Sequence, residues 1–257
     1  MSSTLLMLGG RHSTAHIVAN ALRNRFGNFP IILEGDVSGL QLARSRAKKL
    51  GYIETAGQVL FIQTVARWLK WSNRARIAEI LRDGHLDATP VTSNVLQAKS
   101  INEPRVIDIL RDTQPKVVAI CGTRIISRQA LESISGRFIN MHAGITPGFR
   151  GCHGAYWALA TGHPELAGTT IHWVDQGIDT GKVIKQGRIK IGPKDNFITY
   201  SYLQLAAGLP LLLQAVEEAL RGEPRIEPLE GYDTVGSHLY YHPPLWSYLA
   251  NRLRGVK

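Results

Sequence analysis

Leu5-Leu6-Met7-Leu8-Gly9-Gly10, an amphipathic run from Thr14 to Arg25, and then Pro30-Ile31-Ile32-Leu33 together set the architecture. A short apolar run closed by two glycines reads as a strand entering a turn, and the apolar spacing after it reads as a helix. The branched run that follows completes strand, helix, strand, the unit from which parallel sheets are built. Further strands are predicted at Val117-Val118-Ala119-Ile120, Arg137-Phe138-Ile139-Asn140-Met141 and Thr169-Thr170-Ile171-His172-Trp173-Val174, with helical patterns near residues 103 to 113, 127 to 134 and 153 to 161. The predicted fold is α/β: an open, mostly parallel twisted sheet with flanking helices, Rossmann-like, over residues 1–222, followed by a short C-terminal extension over 223–257. The turn Gly9-Gly10-Arg11-His12-Ser13-Thr14 lacks the third glycine of a dinucleotide fingerprint, so no dinucleotide is expected there.

Two later regions complete the outline. Residues 57 to 82 carry apolar side chains at helical spacing with Arg67, Lys70, Arg74 and Arg76 between them, which predicts a core-packed helix pair with a basic outer face. Ile198 to Leu220 is predicted helical, interrupted near Gly208-Leu209-Pro210 because proline lacks the amide donor, and stopped at Arg221-Gly222-Glu223-Pro224. The extension differs in character, holding Tyr232, Tyr240, Tyr241, Trp246 and Tyr248 among Pro224, Pro228, Pro243 and Pro244. Its stretch from Pro243 to Arg254 is predicted to be a helix that docks on its own domain or in a homodimer, membrane contact being the alternative for so short a basic, aromatic tail.

Composition sets the outer limits. The chain has 257 residues, 44% hydrophobic and 19% charged, which fits a globular protein that needs neither disulfides nor a structural metal. Two cysteines, Cys121 and Cys152, allow one bridge at most, and the nine histidines show none of the close spacings of a metal site. The start, Met1-Ser2-Ser3-Thr4-Leu5, lacks a leader pattern and no window approaches 18 consecutive apolar residues, so a cytoplasmic location is expected. A net charge of +10 favours phosphate-bearing partners.

The chemistry concentrates in Phe138-Ile139-Asn140-Met141-His142-Ala143-Gly144-Ile145-Thr146-Pro147-Gly148-Phe149-Arg150-Gly151 and in Val174-Asp175-Gln176-Gly177-Ile178-Asp179-Thr180-Gly181. Asn140 and His142 stand two apart at the carboxyl end of a predicted strand, so their side chains share a face where open sheets bind ligands. Asp179, in a glycine-bounded turn after the next strand, is placed to reach the same crevice. An amide donor, an imidazole and a carboxylate suit acyl transfer to an amine: the amide supports charge on the carbonyl oxygen and the imidazole moves the proton. The carboxylate is expected to raise the imidazole pKa. No Gly-x-Ser-x-Gly elbow is present, and Cys152 has no evident activating base.

These strings resemble the 10-formyltetrahydrofolate-dependent formyltransferase family, which includes glycinamide ribonucleotide transformylase, methionyl-tRNA formyltransferase and amino-sugar formyltransferases. The resemblance is specific over residues 116 to 184 and implies that Asn140, His142 and Asp179 are catalytic. It further implies that Arg124, Ile125 and Ile126, with Val174, Asp175, Gly177 and Ile178, line the site of 10-formyltetrahydrofolate. Arg150 would contact phosphate or shape its loop, and Gly10 and Ser13 stand in the turn where the purine enzyme holds its substrate phosphate.

Departures narrow the acceptor. Only a short segment follows Gly222 where the tRNA enzymes carry a barrel domain, no regulatory domain precedes the first strand, and Leu205 stands where the purine enzyme has a glutamate. The expected acceptor is therefore a primary amine of a small molecule, a nucleotide-linked amino sugar, with phosphate on the substrate and no nucleic acid partner. Formylation of phosphoribosylglycinamide or an amino acid is the enzymatic alternative. A non-catalytic basic binding protein on the same scaffold is the alternative of a different class.

Overall fold

The computed structural model describes residues 4–226 and 235–257. Pro228 and Tyr232 of the extension lie outside the described residues. The chain opens with β1 (Leu5–Gly10), α1 (Ser13–Phe26) and β2 (Ile31–Glu34), as the first stretch predicts. There follow α2 (Gly39–Leu50), α3 (Tyr52–Phe61), α4 (Arg67–Ser72), α5 (Arg74–Asp83), β3 (Val95–Ala98), α6 (Pro104–Thr113), β4 (Val117–Cys121), α7 (Arg128–Leu131) and β5 (Arg137–His142). The second half holds β6 (Phe149–Gly151), α8 (Gly154–Ala160), β7 (Gly168–Trp173), β8 (Val183–Arg188), α9 (Phe197–Arg221), β9 (His238–Tyr240) and α10 (Leu245–Leu253).

Seven strands form one open sheet in the order β3-β2-β1-β4-β5-β7-β8. The first five are parallel, while β7 runs antiparallel to β5 and β8 antiparallel to β7. The central strands are buried on both faces, as the continuous apolar runs require. Alternation sorts their side chains: Leu5 and Met7 pack with Ile17 and Leu22 of α1 and Leu212 and Val216 of α9, whereas Leu6 and Leu8 pack with Val106 and Leu110 of α6. Each such leucine contributes roughly 1.5–3 kcal/mol by leaving water.

A third apolar cluster lies beside the sheet and includes Phe61, Phe149, Tyr156, Phe197 and Tyr248. It ties the predicted helix pair to the extension. The pair is a longer run, α3 and α4 joined through one wide turn at Ile62–Ala66 and followed by α5, and it reaches the core through Phe61, Leu69 and Ile80. α10 docks on its own chain, with Tyr248 4% exposed and Asn251 Nδ2 donating to Tyr156 Oη at 2.8 Å. Both cysteines are free.

The predicted interruption of the long helix does not occur: α9 runs unbroken from Phe197 to Arg221 with Pro210 inside it. Pro210 offers no donor to the Ala206 carbonyl, but the helix packs along β7 and β8, and that burial outweighs one lost bond. Gly208 makes the approach close, since a Cβ there would stand 2.8 Å from Met141 Sδ and Thr169 Oγ1. Among the described residues α9 is also the one helix long and apolar enough to cross a membrane by length and composition.

Candidate active site

β5 delivers Asn140 and His142 to the carboxyl end of the parallel strands. β7 returns antiparallel beside it, and the register sets His172 opposite Asn140 and Thr170 opposite His142. The segment joining β7 to β8 then carries Asp179 back over the same edge. Asp179 has a backbone φ of +52°, a left-handed conformation that side chains other than glycine rarely adopt. Asp175 shapes this turn, accepting from Gly177 N–H at 3.0 Å and from Thr180 Oγ1 at 2.6 Å.

Four polar side chains converge. Asn140 Nδ2 lies 3.1 Å from His172 Nε2 and 3.4 Å from Asp179 Oδ1. His172 Nδ1 is 2.7 Å from the Trp173 carbonyl, which requires the proton on Nδ1 and leaves Nε2 to accept from the amide. His172 therefore fixes which way the Asn140 amide faces. His142 Nε2 is 2.7 Å from the Phe149 carbonyl, and its Nδ1 is 3.3 Å from Asp179 Oδ2. Gly151 N–H donates to that same oxygen at 2.9 Å.

Burial sets the charge states. Burial alone would raise the Asp179 carboxyl, but the His142 ring, His172 and the Gly151 amide outweigh it and hold the pKa at about 2. For His142 the balance falls the other way from the expectation. Asp179 and the Phe149 carbonyl do favour the charged ring, yet burial dominates and pushes its pKa below the usual 6.5. The resting ring is neutral with its proton on Nε2, and Nδ1 gains a hydrogen bond to Asp179 only on taking up a proton.

The convergence opens onto a cavity of about 490 Å³. Its lining includes Arg124, Ile125, Ile126, Val174, Asp175, Gly177 and Ile178, all seven of the residues expected to hold the folate. The Arg124 guanidinium does not point in as a free charge: its Nε pairs with Glu34 at 2.8 Å and its Nη2 donates to the Gly35 carbonyl at 2.8 Å. The lining also includes Thr14, Thr169, Ser201, Gln204 and Leu205.

Three expected substrate residues sit elsewhere. Gly10 and Ser13 do not line the cavity; Thr14 does. The His12 ring covers Gly10 and Gly122, so closely that a Cβ on Gly10 would stand 2.1 Å from it; Gly10 thus leaves room for that ring, and Gly9 packs against Leu33, Ala15 and Met7. Arg150 is likewise outside the lining, and its Nη1 donates to the Ile178 carbonyl at 3.3 Å, bracing the loop before Asp179. His172 is the site residue that the sequence reading did not single out.

Comparison with known proteins shows the family. The family model described as Formyl transferase matches residues 53–215, and the chain belongs to that family. It is 27% identical over 144 residues to a methionyl-tRNA formyltransferase of Thermodesulfovibrio yellowstonii, a match covering 56% of this chain and 46% of that protein. It is 30% identical over 127 residues to a phosphoribosylglycinamide formyltransferase of Bacillus subtilis, covering 49% of this chain and 65% of that one. The matched segments thus amount to between about half and two thirds of these curated relatives. An X-ray structure of a sugar N-formyltransferase from a Shewanella species shares the fold, with TM-score 0.53, 13% identity, and coverage of 89% of this chain and 75% of that one.

Proposed function

We propose that the chain moves the formyl group of 10-formyltetrahydrofolate to a primary amine of a small molecule, with Asn140, His142 and Asp179 carrying the chemistry. The observation that carries this is the meeting of Asn140 Nδ2 and His142 Nδ1 on the two oxygens of the Asp179 carboxylate at the cavity. The folate fits against Arg124–Ile126 and Val174–Ile178 of the lining. Ile126 and Val174 offer apolar flanks there, the loop backbone offers donors and acceptors to the edge of a flat ring, and Ile125 is 57% exposed at the rim. When bound, this donor supplies a formyl carbon open to attack by an amine.

The residues then divide the work. Asn140 Nδ2 is held by His172 at 3.1 Å, and its longer contact to Asp179 at 3.4 Å is the one that an incoming carbonyl oxygen replaces. A donor placed in this way is worth roughly 2.7–4 kcal/mol in hydrolases. The attacking amine must lose one proton and the departing folate nitrogen must gain one. His142 accepts the proton at Nδ1, Asp179 stabilises the charged ring, and the same pair returns it, so the protons balance.

The acceptor is read from the remaining polar residues of the lining. Thr14, Thr169, Ser201 and Gln204 present neutral polar groups whose oxygens keep lone pairs for hydroxyl donors. Among the described lining residues Arg124 is the one Lys or Arg, and Glu34 already pairs with it. A hydroxyl-rich amino sugar suits these groups, with any nucleotide phosphate lying outside the cavity on the basic surface.

The test follows loss of 10-formyltetrahydrofolate by absorbance against nucleotide-linked amino sugars, phosphoribosylglycinamide, amino acids and an amine-free control. Turnover with an amino sugar is the expected result. Turnover confined to phosphoribosylglycinamide or an amino acid would overturn the acceptor, and absence of folate binding would favour the non-catalytic scaffold.

A further inference from the structure

β6 is three residues long, lies outside the main sheet, and touches two of the three proposed reacting groups through its backbone. The Phe149 carbonyl holds His142 Nε2 at 2.7 Å, and the Gly151 amide holds Asp179 Oδ2 at 2.9 Å. A strand this short has little stability of its own. What pairs with it is β9 of the C-terminal extension, in parallel register with Phe149 against His238, Arg150 against Leu239 and Gly151 against Tyr240.

Tyr240 makes the most of this pairing. Its ring stacks on Phe149, with centroids 5.6 Å apart and planes at 18°, and on Trp157 at 5.1 Å and 21°. Its carbonyl accepts from Cys152 N–H at 2.9 Å, just past Gly151. The approach is tight enough to demand glycine, because a Cβ at Gly151 would stand 2.3 Å from the Tyr240 carbonyl oxygen and Gly151 has φ +90°. Neighbouring contacts hold the segment in place: Trp157 Nε1 donates to the Tyr241 carbonyl at 2.9 Å, and the His153 and His242 rings meet at 2.8 Å. α10 then fixes the end of the chain through Tyr248, whose ring packs 4.8 Å from that of Phe61.

We infer that Tyr240 is a positioning residue for formyl transfer, holding β6 so that Phe149 and Gly151 set the His142–Asp179 pair. The extension is then a working part of the site. The inference rests on the formyl-transfer reading for its rate test, while its structural test is independent of that reading.

The experiment compares Tyr240→Ala, Tyr240→Phe and a control, Leu110→Ala, whose side chain packs under α6 in the cluster away from β6. Tyr240→Ala is expected to lower kcat by about ten- to a hundredfold with KM for the folate within about twofold, since small misplacements of reacting groups cost rates of this size. Tyr240→Phe, which keeps the stacked ring, is expected to restore the rate, and Leu110→Ala to lose thermal stability without the kcat loss. In parallel, the slowly exchanging His142 Nε2 proton is followed by NMR, a signal that requires the bond to Phe149. It is expected to persist in wild type, Tyr240→Phe and Leu110→Ala and to vanish in Tyr240→Ala. Retention of that proton in folded Tyr240→Ala, or a kcat loss equal to that of Leu110→Ala at matched stability, would overturn the inference. If Tyr240→Ala does not fold, Tyr240→Leu is measured by the same two criteria. A wild-type chain that shows the proton but no turnover would count against formyl transfer and leave the positioning contact standing.

Discussion

Asp179 Oδ2 lies 3.3 Å from His142 Nδ1, while the other ring nitrogen of His142 is committed to the Phe149 carbonyl at 2.7 Å. In the proposed reaction the histidine thus has one face for structure and one for proton exchange. Because burial lowers its pKa below 6.5, the neutral, proton-accepting ring is the resting form at neutral pH. The rate with a saturating amine should fall as the medium is acidified below about 6.5 and level off above it. Replacing Asp179 by Asn removes the charge that favours the imidazolium, so any residual activity should show its acidic limb at still lower pH. A limb displaced to higher pH in Asp179→Asn would contradict the assignment.

In the proposed reaction His172 acts through Asn140. Its Nε2 accepts from the amide at 3.1 Å, and its own proton is held by the Trp173 carbonyl. His172→Leu should leave the amide free to rotate and lower kcat roughly tenfold, with little change in KM, as loss of orientation does. Steady-state kinetics on the folded variant decides this, and a change confined to KM would assign His172 to binding.

Gly208 tests the packing that carries α9 past Pro210. A side chain there must displace Met141 or Thr169, both within 2.8 Å of the added carbon. Gly208→Val should destabilise the fold by roughly 1–3 kcal/mol through overpacking, which denaturant titration would read as a lower midpoint at unchanged slope.

Acid should weaken the fold in two stages. His142, His153 and His242 all have pKa values lowered by burial, His242 to about 4, so the unfolded chain binds protons that the folded chain refuses. Stability therefore falls as pH drops below about 6.5, the unfolded value. For His242 alone the shift corresponds to a loss on the order of 3 kcal/mol once pH is below its folded pKa. Asp179 adds a second loss as pH falls from about 3.8 through its folded value of about 2. Melting temperatures between pH 7 and 4 should decline, less steeply in His242→Asn; a flat profile would contradict the burial of these rings.

The parts of the fold readable from sequence are those where a local pattern and the tertiary demand coincide. β1, α1, β2, β4 and β5 are built of apolar runs and helical spacing that mean the same thing alone and in the sheet. β6 and β9 are not of this kind: three residues carry no period, and their pairing joins Phe149 to His238 across a long separation. The place of His172 is hidden in the sequence for a related reason. Its placement comes from the antiparallel register of β7 on β5, which sets it opposite Asn140, and nothing in Thr169-Thr170-Ile171-His172 declares that register. Pro210 misled because a local rule was overridden by packing. Asn140, His142 and Asp179 were legible through spacing and resemblance, but the sign of the His142 shift depended on burial. Gly10 and Gly122 make room for the His12 ring, a contact that only three-dimensional proximity shows, while Gly9 packs against Leu33, Ala15 and Met7.

The most direct test of the account is transfer of a 13C-formyl label from 10-formyltetrahydrofolate to an amino-sugar acceptor, followed by NMR for wild type and Asn140→Ala side by side. The account predicts a labelled formamide from wild type and a rate about a hundred- to a thousandfold lower from Asn140→Ala, with folate binding retained. A near-normal rate in Asn140→Ala would contradict it.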